Sequence, residues 1–280
     1  MMSHGAITVV NAIPCGMGAT VGVDLTTEAE FKVRGSERSV TIMNDRDEDT
    51  TMARICVKRT FEHFGLNEPE GWSLSVDSQI PVSRGLKSSS SACNAIISSV
   101  SGHVHEEYGK GFRGTEGTME MIRLGVRCAR EANVTVTGSF DDACGCHLGG
   151  LIVTDNSNDT IISRSEVGEN DVILFVPRTK IRKPLLDRNR FRELADTAKD
   201  LVRSAGKDWY GALTRNGSMV ARIIGIDDSI ARTAIRMGAL AAGVSGTGPA
   251  ISVVVGKGEG TSFMNDIEHP GYETIITRTR

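Results

Sequence analysis

Apolar and polar positions alternate along the early part of the chain. That period of two predicts strands over 6–10, 21–25, 39–43 and 72–76. A Gly-rich segment, 14–19, separates the first two. The period changes over 48–64, where Met52, Ile55, Cys56, Arg59 and His63 fall near helical spacing. Further on, Ala92, Ile96, Val100 and Val104 recur every four residues, which gives a helix a buried face just after a turn rich in Gly and Ser. Another helix is expected over 115–131, with Met119, Ile122, Val126 and Ala129 on its apolar side.

The second half repeats the mixture. Strands are expected at 149–153, 172–176 and 250–255, and an edge strand at 274–277. Over 187–205 an amphipathic helix is expected, with Phe191, Leu194, Ala195, Ala198, Leu201 and Val202 on one face. Two more helices are expected over 208–224 and 227–240, and a Gly-rich turn over 242–249. The polar turn 155–159 marks the expected boundary between an N-terminal domain, 1–155, and a C-terminal domain, 156–280. Interleaved strand and helix signals make this an α/β or α+β protein.

Composition narrows the function. The 280 residues carry a formal charge of -3, so no basic excess points to nucleic acid. No apolar run reaches membrane-spanning length and no secretion signal is visible, so a soluble protein of the cytoplasm is expected. Six scattered cysteines read as reduced thiols rather than a disulfide framework.

Three segments carry candidate chemistry. Arg84-Gly85-Leu86-Lys87-Ser88-Ser89-Ser90-Ser91 opens a helix, and a helix N-terminus offers unpaired N–H groups and partial positive charge to a phosphate. An N-cap with a flexible turn is the plainer reading. The adjacent carboxylates Asp141 and Asp142 follow Gly138 in a small-residue stretch. Either could cap a short helix, or act as base or charge partner to a substrate hydroxyl, with one of the two expected to face the site. Gly246-Thr247-Gly248-Pro249 allows positive φ and could free amides for a ligand, although a tight helix-to-strand connection explains it as well. No P-loop or dinucleotide fingerprint is present.

In this order the three segments resemble the GHMP kinases. Pro81-Val82-Ser83-Arg84-Gly85-Leu86-Lys87-Ser88-Ser89, Ser139-Phe140-Asp141 before Gly149-Gly150, and Gly246-Thr247-Gly248-Pro249-Ala250 match that superfamily's motifs. Asn11-Ala12-Ile13, the Arg84–Ser90 run and Thr137-Gly138-Ser139-Phe140-Asp141-Asp142-Ala143 are most similar to its archaeal shikimate kinase branch. The resemblance implies an α+β fold with an N-terminal half like ribosomal protein S5 domain 2 and a ferredoxin-like C-terminal half. It implies ATP bound by the Arg84–Ser91 segment, Mg²⁺ held by Ser89 and Glu131, and Asp141 as the catalytic carboxylate. It also implies shikimate as acceptor, phosphorylated on its 3-hydroxyl on the route to chorismate and the aromatic amino acids. The chain would act as a monomer or a homodimer. An Arg should pair with the substrate carboxylate, and Arg178, Arg182 and Arg190 are the candidates. Two departures stand out. Lys87 replaces the superfamily's common Gly, and Met17 replaces a Lys frequent in the shikimate branch, which would leave Lys87 or Arg84 to supply positive charge.

The competing readings are another GHMP kinase acting on homoserine or mevalonate, or a nucleotide sensor without activity. A zinc site at Cys144, Cys146 and His147, or at His103 and His105, does not match the usual paired spacings.

Overall fold

The computed structural model describes residues 1–45, 48–82, 84–135, 137–178 and 188–280. The first half runs β1 (Met2–Val10), β2 (Met17–Val33), β3 (Arg38–Ile42), α1 (Thr51–His63), β4 (Trp72–Ser78), α2 (Ser88–Tyr108), α3 (Gly114–Glu131), α4 (Phe140–Leu148), β5 (Leu151–Asp155) and β6 (Thr160–Ser165). The second half runs β7 (Asn170–Pro177), α5 (Arg188–Arg192), α6 (Ala195–Ala205), α7 (Trp209–Ile224), α8 (Ser229–Arg236), β8 (Ala241–Val244), β9 (Ile251–Gly256), α9 (Gly260–Asn265) and β10 (Tyr272–Arg278).

Two sheets result. In the first, the order is β3-β4-β2-β5-β6, with β1 also paired to the long β2. The second has the order β10-β7-β9-β8, so β10 is an edge strand, as its position in the sequence suggests. One core lies between the first sheet and α1–α4, where Phe31, Trp72 and Leu74 meet Phe61, Ile96, Ile97, Val100 and Ile122. Burying such side chains contributes about 1.5–3 kcal/mol each. A second core joins the sheets to each other. Ile7, Val9, Val21 and Val23 from the first pack in one cluster with Val172, Leu174, Val176 and Val254 from the second, together with Leu201, Val202, Ala212 and Leu213. β7 is buried on both faces, because Ile173 and Phe175 point into a third core with Val220, Ile230 and Phe191.

These cores explain where the structure departs from the sequence pattern. The amphipathic stretch at 187–205 breaks into α5 and α6, because Phe191 belongs to the third core whereas Leu201 and Val202 belong to the second. One straight helix cannot serve both. The polar turn at 155–159 joins β5 to β6 within the first sheet, so the chain passes to the second sheet only after Ser165. Residues 242–244, expected as the start of a turn, belong to β8. Their small side chains let Gly243 pack directly on Gly217 of α7, where a Cβ on Gly217 would overlap the Gly243 backbone.

Candidate active site

A cavity of about 610 Å³ opens where the two sheets meet. Its walls are Thr8 and 11–13 at the end of β1, Gly85 and 87–90 at the start of α2, 133–135 with Thr137 and Ser139 before α4, Asp141 and Asp142 on α4, and Gly246 with Thr247. Glu48 and Val82 complete the rim. All three segments singled out in the sequence therefore share one cavity.

The start of α2 has amides free of helical acceptors. Ser91 N–H donates to Lys87 O, which is the first bond of the helix, so the amides of Ser88, Ser89 and Ser90 have no helical acceptor. Lys87 caps this helix in the left-handed region, at φ 69°, and its side chain offers the amides no acceptor. Gly85, at φ 83°, cannot carry a Cβ, which would overlap Ser245 O. The turn is clamped there: Ser245 Oγ donates to Gly85 O at 2.9 Å and Ala250 N–H donates to Arg84 O at 3.1 Å. Gly246 is tied back to β1, its N–H donating to Thr8 Oγ1 at 2.8 Å and its O accepting from Asn11 Nδ2 at 2.9 Å. Among the described residues, four non-glycine positions have positive φ: Lys87, Asn133, Ser139 and Asp159. Three of them line the cavity. Such backbone costs on the order of 1 kcal/mol or more and collects at functional sites.

Not every residue of the Arg84–Ser91 segment reaches the cavity. Gly85, Lys87, Ser88, Ser89 and Ser90 line it. Leu86 turns into the core between the sheets and Ser91 is fully buried, while Arg84 stands outside the lining. Glu131 is the larger departure. Although Ala129 and Asn133 line the cavity, the Glu131 carboxylate turns outward and accepts from Arg59 Nε at 2.8 Å and Arg59 Nη2 at 2.9 Å. The structure does not bring it to Ser89. Arg178 and Arg190 are exposed and do not line the cavity, and Arg182 lies outside the described residues. Cys144 and Cys146 are buried in α4, and His103 packs on the rings of Phe31 and Phe61.

Both carboxylates of the Asp pair face the cavity, against the expectation that only one would. They sit in the first turn of α4 and divide their partners. Asp142 Oδ1 lies 3.0 Å from the Lys87 ammonium, and both side chains are largely shielded, at 14% and 7% exposed. Asp141 is 4% exposed. Its carboxylate accepts from Asn156 Nδ2 at 2.7 Å. Burial, and then the neighbouring Asp142 charge, push the Asp141 carboxyl up to about 7, opposed by Lys87 and the Asn156 hydrogen bond. A carboxyl poised there can exchange a proton with a substrate near neutral pH. Gly18 makes the placement possible, because a Cβ at that position would overlap Asp141 Oδ2. The first Gly-rich turn thus serves the carboxylate, while Met17 packs against the core between the sheets.

Asn156, which bonds the Asp141 carboxylate, is the residue at this site that the sequence reading missed. It sits in the turn read as a domain boundary, where an Asn is an ordinary turn former.

The family model for the GHMP kinases N terminal domain matches residues 51–150. A shikimate kinase of Methanobrevibacter smithii is 37% identical over 250 residues, covering 88% of this chain and 84% of the relative. One from Methanosarcina mazei is 34% identical over 282 residues, covering 99% and 92%. Among solved structures, the Methanococcus jannaschii mevalonate kinase superposes with a TM-score of 0.79 at 16% identity, covering 100% of this chain and 98% of that one. A putative homoserine kinase from Listeria monocytogenes gives 0.66 at 16%, covering 99% and 95%. At such identities the solved structures establish the fold alone. The shikimate kinases are related over most of their length, and on that ground the chain belongs to the archaeal shikimate kinase family, within the ATP-dependent GHMP kinases.

Proposed function

We propose that this chain transfers the terminal phosphoryl group of ATP to the 3-hydroxyl of shikimate, giving shikimate 3-phosphate and ADP. One observation supports the reading above others: three amides with no helical acceptor, at the start of α2, and a buried carboxylate poised near neutral pH line the same cavity. Phosphoryl transfer needs positioning and charge neutralisation more than covalent chemistry. The amides of Ser88–Ser90 residues hold the ATP phosphates, and Lys87, at the same turn, offsets part of their charge. Asp141 takes or orients the proton of the attacking hydroxyl. The acceptor's identity comes from the relatives, which are named shikimate kinases. A coupled assay of ADP release with shikimate, homoserine and mevalonate tests it. Turnover with shikimate alone is expected, and turnover with either other alcohol in its place would reassign the substrate.

Mg²⁺ suits this cavity when held loosely. The ion keeps several waters and binds through phosphates and one or two protein oxygens. The hydroxyls at 88–90 meet that demand, Ser89 first, and the bound ion would supply charge neutralisation on the phosphates. The outward carboxylate of Glu131, already bound to Arg59, does not meet it. In a Mg²⁺ titration of rate, Ser89→Ala is expected to need several-fold more metal for half-maximal activity, whereas Glu131→Gln titrates as the wild type. The opposite pattern would place the ion at the end of α3.

A further inference from the structure

We infer that Asn156 is a positioning residue for phosphoryl transfer: its side-chain amide fixes the Asp141 carboxylate in the orientation and charge state that receive the hydroxyl proton. The inference rests on the role of Asp141 proposed above.

Asn156 is 2% exposed and its amide is fully engaged. Its Oδ1 accepts from the Asp141 main-chain N–H at 3.1 Å and from Thr154 Oγ1 at 2.7 Å. Its Nδ2 donates to Asp141 Oδ1 at 2.7 Å and to Thr137 Oγ1 at 3.4 Å. A peptide N–H can only donate, so the oxygen of the amide must face it. That fixes which end of Asn156 meets the carboxylate: the NH₂ does. Donation to the ionised form favours it, against burial and the Asp142 charge.

The main chain of the residue is itself held through both its N–H and its carbonyl. Its main-chain N–H donates to Gly16 O at 2.8 Å. Arg130 Nη2 reaches Asn156 O at 3.4 Å. The same guanidinium grips Asp159 at 2.9 and 3.0 Å, which anchors the far end of the turn. Gly138 leaves the room, since a Cβ there would overlap the Arg130 guanidinium. On the opposite side, Thr20 Oγ1 donates to Asp141 O at 3.0 Å. The charged groups facing this carboxylate are Asp142, its neighbour on α4, and Lys87 at the start of α2, with Glu48 across the cavity rim. Among the described residues, no side chain other than Asn156 hydrogen-bonds the Asp141 carboxylate.

A purely structural Asn156 would only close the β5–β6 turn. The pH dependence of kcat and kcat/KM separates the two roles, measured on the full-length wild type, Asn156→Leu, Asn156→Ala and Asp141→Asn, each with its thermal midpoint. Asn156→Leu keeps the approximate volume and adds no charge while removing the donor, so it remains informative if Asn156→Ala fails to fold. The expected result is a fall in kcat on the order of 10²-fold, an unchanged KM for ATP, and an acid limb of the profile moved to higher pH. A folded Asn156 variant whose acid limb stays at the wild-type pH overturns the inference, even if its midpoint has dropped. If Asp141→Asn turns over like the wild type, the base lies elsewhere and the inference falls with it. If Asp141→Asn is inactive and the Asn156 variants titrate as the wild type, only the positioning role is lost.

Discussion

Asp141→Asn is expected to lower turnover by roughly 10²–10⁴-fold, the range for losing a positioned general base. The same substitution should leave the protein folded, and at neutral pH more stable than the wild type. The sign follows from linkage. The Asp141 carboxyl is raised from 3.8 in the unfolded chain to about 7 in the folded one, so the native state binds the proton more tightly. Its stability contribution is complete at low pH and falls as pH rises from about 4 to about 7, after which the loss is constant. An Asn cannot ionise and escapes that loss. Thermal midpoints at pH 5 and pH 8, recorded beside turnover, check both halves. An inactive variant with a lower midpoint at pH 8 would point to misfolding, and an active one would remove Asp141 from the chemistry.

Lys87→Met is expected to have the largest effect on stability. The ammonium neutralises a shielded carboxylate 3.0 Å away, and removing one partner of a buried pair costs roughly 3–5 kcal/mol. For a chain of this size that lowers the midpoint by about 6 °C or more. Replacing both partners, in Lys87→Met with Asp142→Asn, should restore most of the loss, because no charge is then left unpaired. Activity gives a second reading. Lys87 lowers the affinity of Asp141 for its proton, so its removal moves the acid limb of the rate profile to higher pH, whereas Asp142→Asn alone moves it to lower pH. An unchanged midpoint in Lys87→Met would show that solvent screens the pair.

The sequence makes local chemistry legible and long-range chemistry opaque. The open N-terminal end of α2 and the Asp pair are visible because a helix start, its capping turn and its acidic first turn lie within a few residues. Asn156 is invisible for the opposite reason. Its partner Asp141 lies 15 residues away, across a helix and a strand, and only the return of β5 beside β2 brings them together. Thr8 and Asn11 meet Gly246 across 238 and 235 residues. The strand β6 was missed because it is mostly exposed, so no buried face imposes an alternation of apolar positions on it. Glu131 shows the reverse hazard. Its distance along the chain from Asp141 fits the superfamily pattern, yet the side chain has found Arg59 on the outer surface.

The clamp on Gly85 has a bearing on synthesis. The turn at the start of α2 takes its shape from Ser245, Gly248 and Ala250, 160 residues and more further along the chain. Domains emerging from the ribosome fold from the N-terminal end, as length permits. The helices and first sheet can therefore assemble early, but the turn at the start of α2 lacks its clamp until Ala250 has left the exit tunnel. A nascent chain would carry most of the architecture of this kinase while still lacking the turn proposed to hold its nucleotide.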